Sequence, residues 1–247
     1  MCGIVAYIGS SNAIPIILSG LERLEYRGYD SSGISFFQDK RIKLIKKSGR
    51  VQELKKHITK EYKSDVGIGH TRWATHGVPN DNNAHPHLSK SGRLAIIHNG
   101  IIENYNSIKE GLTNRGYKFN SDTDSEVLIN LIEDVQKNEN LNLFKSVKLA
   151  LSQVIGAYSI VILDALNPDK LVVAKKGSPL IIGVGKKEHF IASDPAPFLK
   201  YTKDVIYLDD NEIAEITKEN IEIRTIANEL KTPYIQKSNL ELDEIEK

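Results

Sequence analysis

Only one cysteine, one methionine and one tryptophan occur in the 247 residues of this chain. A single cysteine forms no internal disulfide and builds no thiolate metal cluster. Neither sign of charge is in excess: 33 Lys and Arg stand against 32 Asp and Glu, a net charge of +1. That balance removes the bulk electrostatic case for a nucleic acid or a membrane surface as partner. No apolar run approaches the ~18 residues that read as a bilayer span. The opening Met1-Cys2-Gly3 carries no basic segment, and the apolar residues 4–8 are too few for a signal-peptide core. A cytoplasmic location is the expectation. Internal repeats and low-complexity tracts are also lacking.

What is present is ordinary in bulk and unusual in placement. Apolar residues make up 40% and charged residues 26%, as in a soluble globular protein. The length allows one large domain or two small ones. Cys2 directly follows the initiator. Five of the seven histidines (His70, His76, His85, His87, His98) crowd into one stretch, which also holds Trp73.

Along the chain, residues 2–8 are apolar and β-branched and predict a buried strand. Ser11 or Asn12 caps a helix with Pro15 in its first turn, and Ile14, Ile17, Leu18, Leu21 and Leu24 form its face. Gly28 is expected to end it, with a loop over 29–33. Residues 34–37 and 42–45 predict a hairpin, and a short helix follows over 51–58. A strand over 66–71 leads into a long polar loop, 72–92, of the kind that usually carries function. The next strand, 94–98, is expected to close at Asn99-Gly100. Three helices follow, the second opening near Ser121-Asp122. Seven short strands then lie between 158 and 223. Strands at both ends with helices between them predict an α+β fold of layered sheets covered by helices.

Cys2 is chemically distinctive because of its neighbour. Methionine is generally trimmed before a small second residue, which would leave a thiol and a free α-amine on one residue. With a reference pKa of about 7.7–8.0, that amine is able to take the thiol proton near neutrality. Gly3 is expected to leave room for a substrate at the sulfur. A lone cysteine beginning an apolar strand is also commonly an inert small hydrophobe, and both roles stand open for Cys2 taken alone.

Acyl transfer from an amide needs an oxyanion hole and groups that hold the substrate's ends. An asparagine side chain followed by a glycine N–H, as at Asn99-Gly100, supplies two donors; an Asn-Gly turn is the alternative. Arg72 is able to grip a carboxylate with two N–H groups, and Trp73 beside it is able to cover a site, or the two are a surface arginine and a packed tryptophan. Of Asp122 and Asp124, one is expected to cap a helix and the other is free to accept from an ammonium. His85-Pro86-His87 presents two imidazoles, yet no HExxH helix or cysteine pair accompanies them, so no metal is expected and the histidines are assigned to a hydrogen-bonded scaffold.

Cys2-Gly3-Ile4-Val5 at the N-terminus resembles the class II glutamine amidotransferases, which are N-terminal-nucleophile hydrolases. The run from Leu24 to Gly33 (LEYRGYDSSG), His70 to Gly77 (HTRWATHG), Asn83 to His87 (NAHPH) and His98 to Asn104 (HNGIIEN) narrows the likeness to the glutaminase domains of glucosamine-6-phosphate synthases. It covers essentially the whole chain. It implies a four-layer αββα sandwich with two antiparallel sheets. It also implies that Cys2 attacks the glutamine amide with its own α-amine as base, and that Asn99 and Gly100 form the oxyanion hole. By the same likeness Arg72, helped by Thr75 and His76, holds the α-carboxylate, Asp124 holds the α-ammonium, Trp73 closes over substrate and Arg27 supports the nucleophile. No cofactor is implied.

The likeness further implies a glutaminase domain over residues 1–237, with 238–247 opening an acidic interdomain linker. A sugar isomerase domain, which aminates fructose 6-phosphate, would be the partner in a homodimeric full-length enzyme; this chain does not contain it. The isolated domain is expected to release ammonia and glutamate from glutamine. Two rivals remain at this point. One is an amidotransferase half serving another acceptor, as in phosphoribosyl amidotransferases or asparagine synthetases. The other is a ligand-binding domain with an inert Cys2.

Overall fold

The computed structural model describes residues 2–74 and 77–238. Thr75 and His76, Met1 and residues 239–247 lie outside the described residues, and with them two of the expected substrate contacts and nearly all of the expected linker.

Among the described residues, fifteen strands form two antiparallel sheets. The first contains β1 (Gly3–Ile8), β2 (Ser31–Gln38), β3 (Arg41–Ser48), β4 (Val66–Arg72), β9 (Ile181–Gly185), β10 (Glu188–Ala192), β11 (Asp204–Tyr207) and β15 (Gln236–Lys237). Its order is β15-β11-β9-β10-β1-β4-β2-β3. The second contains β5 (His87–Leu88), β6 (Leu94–Ile102), β7 (Gly156–Asp164), β8 (Leu171–Lys176), β12 (Glu212–Ile216), β13 (Ile221–Thr225) and β14 (Leu230–Lys231), ordered β14-β13-β12-β8-β7-β6-β5. Helices α1 (Ala13–Arg23) and α2 (Val51–Lys55) lie with the first sheet; α3 (Tyr105–Asn114), α4 (Asp124–Glu139) and α5 (Leu143–Leu151) lie with the second.

Side-chain alternation explains the layers. Val5 and Tyr7 of β1 face α1, packing with Ile14, Ile17 and Leu21. Ile4, Ala6 and Ile8 point the other way and meet Ile97, Val161, Leu163 and Val173 of the second sheet. A strand buried on both faces needs apolar residues at every position, which is why residues 2–8 lack polar alternation. On the far side Ile96, Ile160 and Val172 pack on Val127, Leu128, Leu131 and Val147. The result is the expected αββα sandwich, with three apolar seams between four layers.

Local expectations hold in part. The 34–45 hairpin forms, turning at Asp39 and Lys40, both with positive φ, as a tight two-residue turn requires. Helix α1 is capped by Asn12, whose Oδ1 accepts from Ile14 N. It ends at Arg23, not at Gly28: Leu24 starts a short 3-10 turn over Glu25–Arg27. Ser31, Ser32 and Gly33 are strand, not loop, because β4 offers them a complete partner in residues 70–72. Likewise β6 does not stop at His98. It runs through Asn99 and Gly100 to Ile102, paired throughout with β7. The first acidic residues do not cap α4; Thr123 does, accepting from Glu126 N.

Candidate active site

Residues 81–84 of the long polar segment are pinned to the first sheet. Lys46 Nζ on β3 donates to the carbonyls of Asn82 and Ala84, each at 2.9 Å, and burial pushes this amine down to about 8. Asp81 accepts from Ser48 N at 2.7 Å and from Lys47 Nζ at 2.9 Å. Further along, His85 and His87 are buried, His85 against His70 of β4 with ring centres 4.3 Å apart and His87 paired with Ile96 of β6.

Cys2 sits just before β1, where β1 and β4 run side by side, with Gly3 opposite Thr71. Its Sγ accepts from Trp73 N at 3.2 Å, and the thiol reaches Trp73 O at 3.6 Å. Burial pushes the thiol pKa up, against that N–H, which favours the thiolate. Gly3 serves packing, contrary to the expectation of substrate space: a β-carbon there would lie 2.6 Å from Thr71 Oγ1 and 2.8 Å from Leu24.

Asn99 approaches Cys2 from the second sheet, its Nδ2 donating to the Cys2 carbonyl at 2.8 Å. The amide nitrogen carries two donors, so one remains for a substrate oxygen. Gly100 follows with φ of +135°, and a β-carbon on it would sit 2.1 Å from Ala157 O. No other residue type fits that backbone, which turns the peptide within a strand that stays paired.

Arg72, the last residue of β4, is 4% exposed, and its guanidinium reaches Gly77 O at 3.5 Å. Burial pulls its pKa down, so an incoming carboxylate would relieve a desolvated cation. Asp124 opens α4. One of its oxygens accepts from Ile102 N at 2.8 Å; the other lies 3.4 Å from Ser125 Oγ and 4.0 Å from His98 Nδ1. Trp73 is 45% exposed, edge-on to Tyr29 with ring centres 5.6 Å apart. Its loop is tied to Asp30, which accepts from Ala74 N at 2.8 Å.

These groups converge. Cys2, Arg72, Trp73, Asn99, Gly100, Thr123 and Asp124 line one polar cleft of about 40 Å³. Arg27 is separate from it. Together with Cys2, Asn99, Gly100 and Pro179, it lines a mainly apolar cavity of about 180 Å³ on another side of the sulfur. Its guanidinium pairs with Asp194 at 2.6 Å.

Buried histidines back the cleft, and two of them, His85 and His98, line it together with Ser125. His85 Nε2 is 2.7 Å and His98 Nδ1 2.8 Å from the same Ser125 Oγ; His87 Nε2 is 3.0 Å from Thr123 Oγ1. Burial lowers the pKa of His70 to about 3 and pushes His85, His87 and His98 down as well. They are a neutral scaffold, in keeping with the hydrogen-bonded role read from the sequence. Ser125 and Asp30 were missed there. Asp30 had a signal in its Gly-rich run, whereas nothing local marks Ser125 as the meeting point of two histidines.

The glutamine amidotransferase domain family matches residues 55–234. A glutamine–fructose-6-phosphate aminotransferase (isomerizing) of Bacteroides thetaiotaomicron is 49% identical over 250 residues, covering all of this chain and 41% of the relative. The protein of the same name from Pyrococcus horikoshii is 45% identical, covering all of this chain and 42% of its own length. Among solved structures, a glutamine phosphoribosylpyrophosphate amidotransferase from B. subtilis, complexed with ADP and GMP, superposes with a TM-score of 0.79 at 27% identity, over 91% of this chain and 49% of that one. The chain thus spans less than half the length of these relatives.

Proposed function

The chain belongs to the glutamine amidotransferase domain family, and from that premise we propose that its cleft hydrolyses the side-chain amide of glutamine at Cys2. The observation that carries this is the convergence, on one small cleft, of a thiol, an amide-plus-glycine donor pair, a buried guanidinium and a helix-opening carboxylate. Glutamine presents an α-carboxylate, an α-ammonium and a carboxamide, one complement for each.

In the proposed reaction, Met1 is removed and the freed α-amine of Cys2 takes the thiol proton. The sulfur attacks the amide carbon, and the oxygen gains charge facing the Asn99 side-chain N–H and the Gly100 N–H. As the C–N bond breaks, the ammonium returns its proton to the leaving nitrogen, and ammonia departs. Water then attacks the thioester carbon, giving a proton to the same amine; the C–S bond breaks, the sulfur takes that proton back, and glutamate is released. Arg72, with Thr75 and His76, holds the carboxylate. Asp124 holds the ammonium, Trp73 covers the cleft and Arg27 supports the nucleophile from the apolar side.

For the whole protein, we assign the ammonia to fructose 6-phosphate. The higher identity to the fructose-6-phosphate aminotransferases than to the phosphoribosylpyrophosphate amidotransferase supports that acceptor. The remaining length of those relatives supports a fused sugar isomerase domain, with residues 238–247 opening the linker to it. A homodimeric, cytoplasmic enzyme is part of this proposal; among the described residues, no helix is long and apolar enough to cross a membrane.

Ammonia and glutamate release from glutamine, followed for the wild-type chain and for Cys2→Ala, tests the assignment. Turnover should vanish in the variant while glutamate still binds. An alanine variant that keeps turning over removes Cys2 as nucleophile. Intact-mass measurement of the active protein should show Met1 gone; activity with Met1 retained removes the α-amine as base.

A further inference from the structure

His70 sits in β4, opposite Ile4 on one side and Gly33 on the other, and is 1% exposed. Its Nε2 lies 3.2 Å from the His98 carbonyl oxygen and 2.9 Å from Asn99 Oδ1. A carbonyl oxygen can only accept, so Nε2 must carry the proton. The Asn99 atom facing it must then be the acceptor end of the amide. The donor end is left to face away, and it meets the Cys2 carbonyl at 2.8 Å. Turning the amide over would set N–H against N–H at His70 and carbonyl against carbonyl at Cys2. Two hydrogen bonds would become two repulsions in a place largely shielded from water, where unsatisfied polar groups are costly.

The order of control runs from backbone to side chain. The His98 carbonyl sets the tautomer of His70, and that tautomer sets the orientation of Asn99. His98 and Asn99 are neighbours on β6, whereas His70 belongs to the other sheet, so the arrangement exists only when the two sheets are packed. The ring itself is held in place: it lies against His85 with centres 4.3 Å apart, and His85 is anchored on Ser125 at 2.7 Å. Its second nitrogen, Nδ1, is buried without a hydrogen-bond partner. Burial keeps the ring neutral, with a pKa of about 3.

We propose that His70 is a positioning residue for amide hydrolysis: its Nε2–H locks the Asn99 amide with the N–H end toward Cys2, presetting the oxyanion donor. A donor aimed before reaction costs no reorganisation when charge develops on the substrate oxygen, whereas a free amide would have to turn at that moment. His70 lies under the donor and does not line the cleft, so its effect is on the rate of chemistry and not on the grip on the amino acid. This inference rests on the glutamine hydrolysis assigned above.

The test follows ammonia release from glutamine by wild type, His70→Phe, His70→Gln, Asn99→Ala and the His70→Phe/Asn99→Ala double variant. It adds glutamate binding by calorimetry and the imidazole nitrogen NMR of the wild type. His70→Phe keeps a flat ring and loses the donor; kcat should fall about 10- to 100-fold with KM changed less than about threefold, below the ceiling for losing an oxyanion donor outright. His70→Gln, which places an amide N–H near the same point, should recover most of that loss. The double variant should be no slower than Asn99→Ala, since both act on one donor. The wild-type spectrum should show His70 protonated on Nε2.

A His70→Phe enzyme with wild-type kcat, an effect confined to KM, losses that multiply in the double variant, or an Nδ1–H tautomer would each overturn the lock. Should His70→Phe fail to fold, the tautomer and the His70→Gln rate decide: Nε2–H with near-normal turnover supports it, and either opposite result overturns it. Absence of ammonia release from the wild type itself would instead strike the hydrolysis assignment, and the tautomer would still decide the orientation of Asn99.

Discussion

Gly28 lies directly against the peptide joining Arg72 to Trp73. A β-carbon at position 28 would stand 2.7 Å from the Arg72 carbonyl carbon and 2.8 Å from the Trp73 nitrogen. That nitrogen is the one whose N–H reaches Cys2 Sγ. The φ of Gly28 is 179°, an extended value open to any residue, so the demand is for space alone. Gly28→Ala should therefore push the 72–73 peptide off the sulfur. We expect kcat for ammonia release to fall tenfold or more, since a displacement of about 1 Å near reacting atoms can cost about 100-fold. Overpacking should cost about 1–3 kcal/mol of stability in the same variant. A thermal melt and a turnover assay check both; an alanine variant with unaltered turnover would sink the link between Gly28 and Cys2.

Asp124→Asn separates two duties of one side chain. The asparagine is still able to accept from Ile102 N through its oxygen, so the junction of β6 and α4 should survive. The charge proposed to face the substrate ammonium is lost. A charge-assisted hydrogen bond is worth about 1.5–3 kcal/mol, so KM for glutamine should rise roughly 10- to 150-fold. Initial-rate kinetics read this directly, and an unchanged KM would remove Asp124 from ammonium binding.

Arg72→Ala tests the other end of the amino acid. KM should rise for glutamine and far less for an analogue that lacks the α-carboxylate. Equal increases for the two would mean that Arg72 supports the loop through Gly77 and not the substrate.

Stability should fall on mild acidification. The four buried histidines at the site have folded-state pKa values below the ordinary ~6.5, with His70 at about 3, and burial lowers His189 as well. Between those values the unfolded chain binds protons that the folded chain refuses. The stabilisation is thus complete above about pH 6.5 and is lost as pH falls toward the folded value. Each histidine in its window adds a slope of about 1.4 kcal/mol per pH unit. Melting temperatures measured from pH 8 to pH 4 should drop below about pH 6.5, and His87→Gln should flatten the fall. A flat profile would contradict a buried neutral scaffold.

Much of the site was legible before the structure. Cys2, Arg72, Asn99 and Gly100 are candidates by the chemistry of their residue types, Asp124 is singled out from Asp122 by the family resemblance alone, and one cleft contains all five. The strands were legible because burial on both faces of β1 and of β7 demands continuous apolar runs. Less legible were the ends of elements. Asn99-Gly100 looks locally like a turn, yet β7 supplies partners on through Ile102, and pairing overrides the turn preference. Ser31-Ser32-Gly33 looks like a loop by composition, yet β4 makes it a strand.

By itself the sequence determined the layered α+β fold, the hairpin at Asp39-Lys40 and the residue types available for amide chemistry. Those follow from side-chain periodicity and intrinsic reactivity, which are properties of neighbours along the chain. Only the tertiary structure decided what the small and neutral residues do. Gly28 makes room for the Trp73 nitrogen, Gly3 makes room for Thr71, and His70 turns Asn99 toward Cys2. Each of those roles depends on an atom tens of residues away, brought close by strand pairing within the first sheet for Gly3 and Gly28 and by the packing of the two sheets for His70, and no local pattern records such a distance.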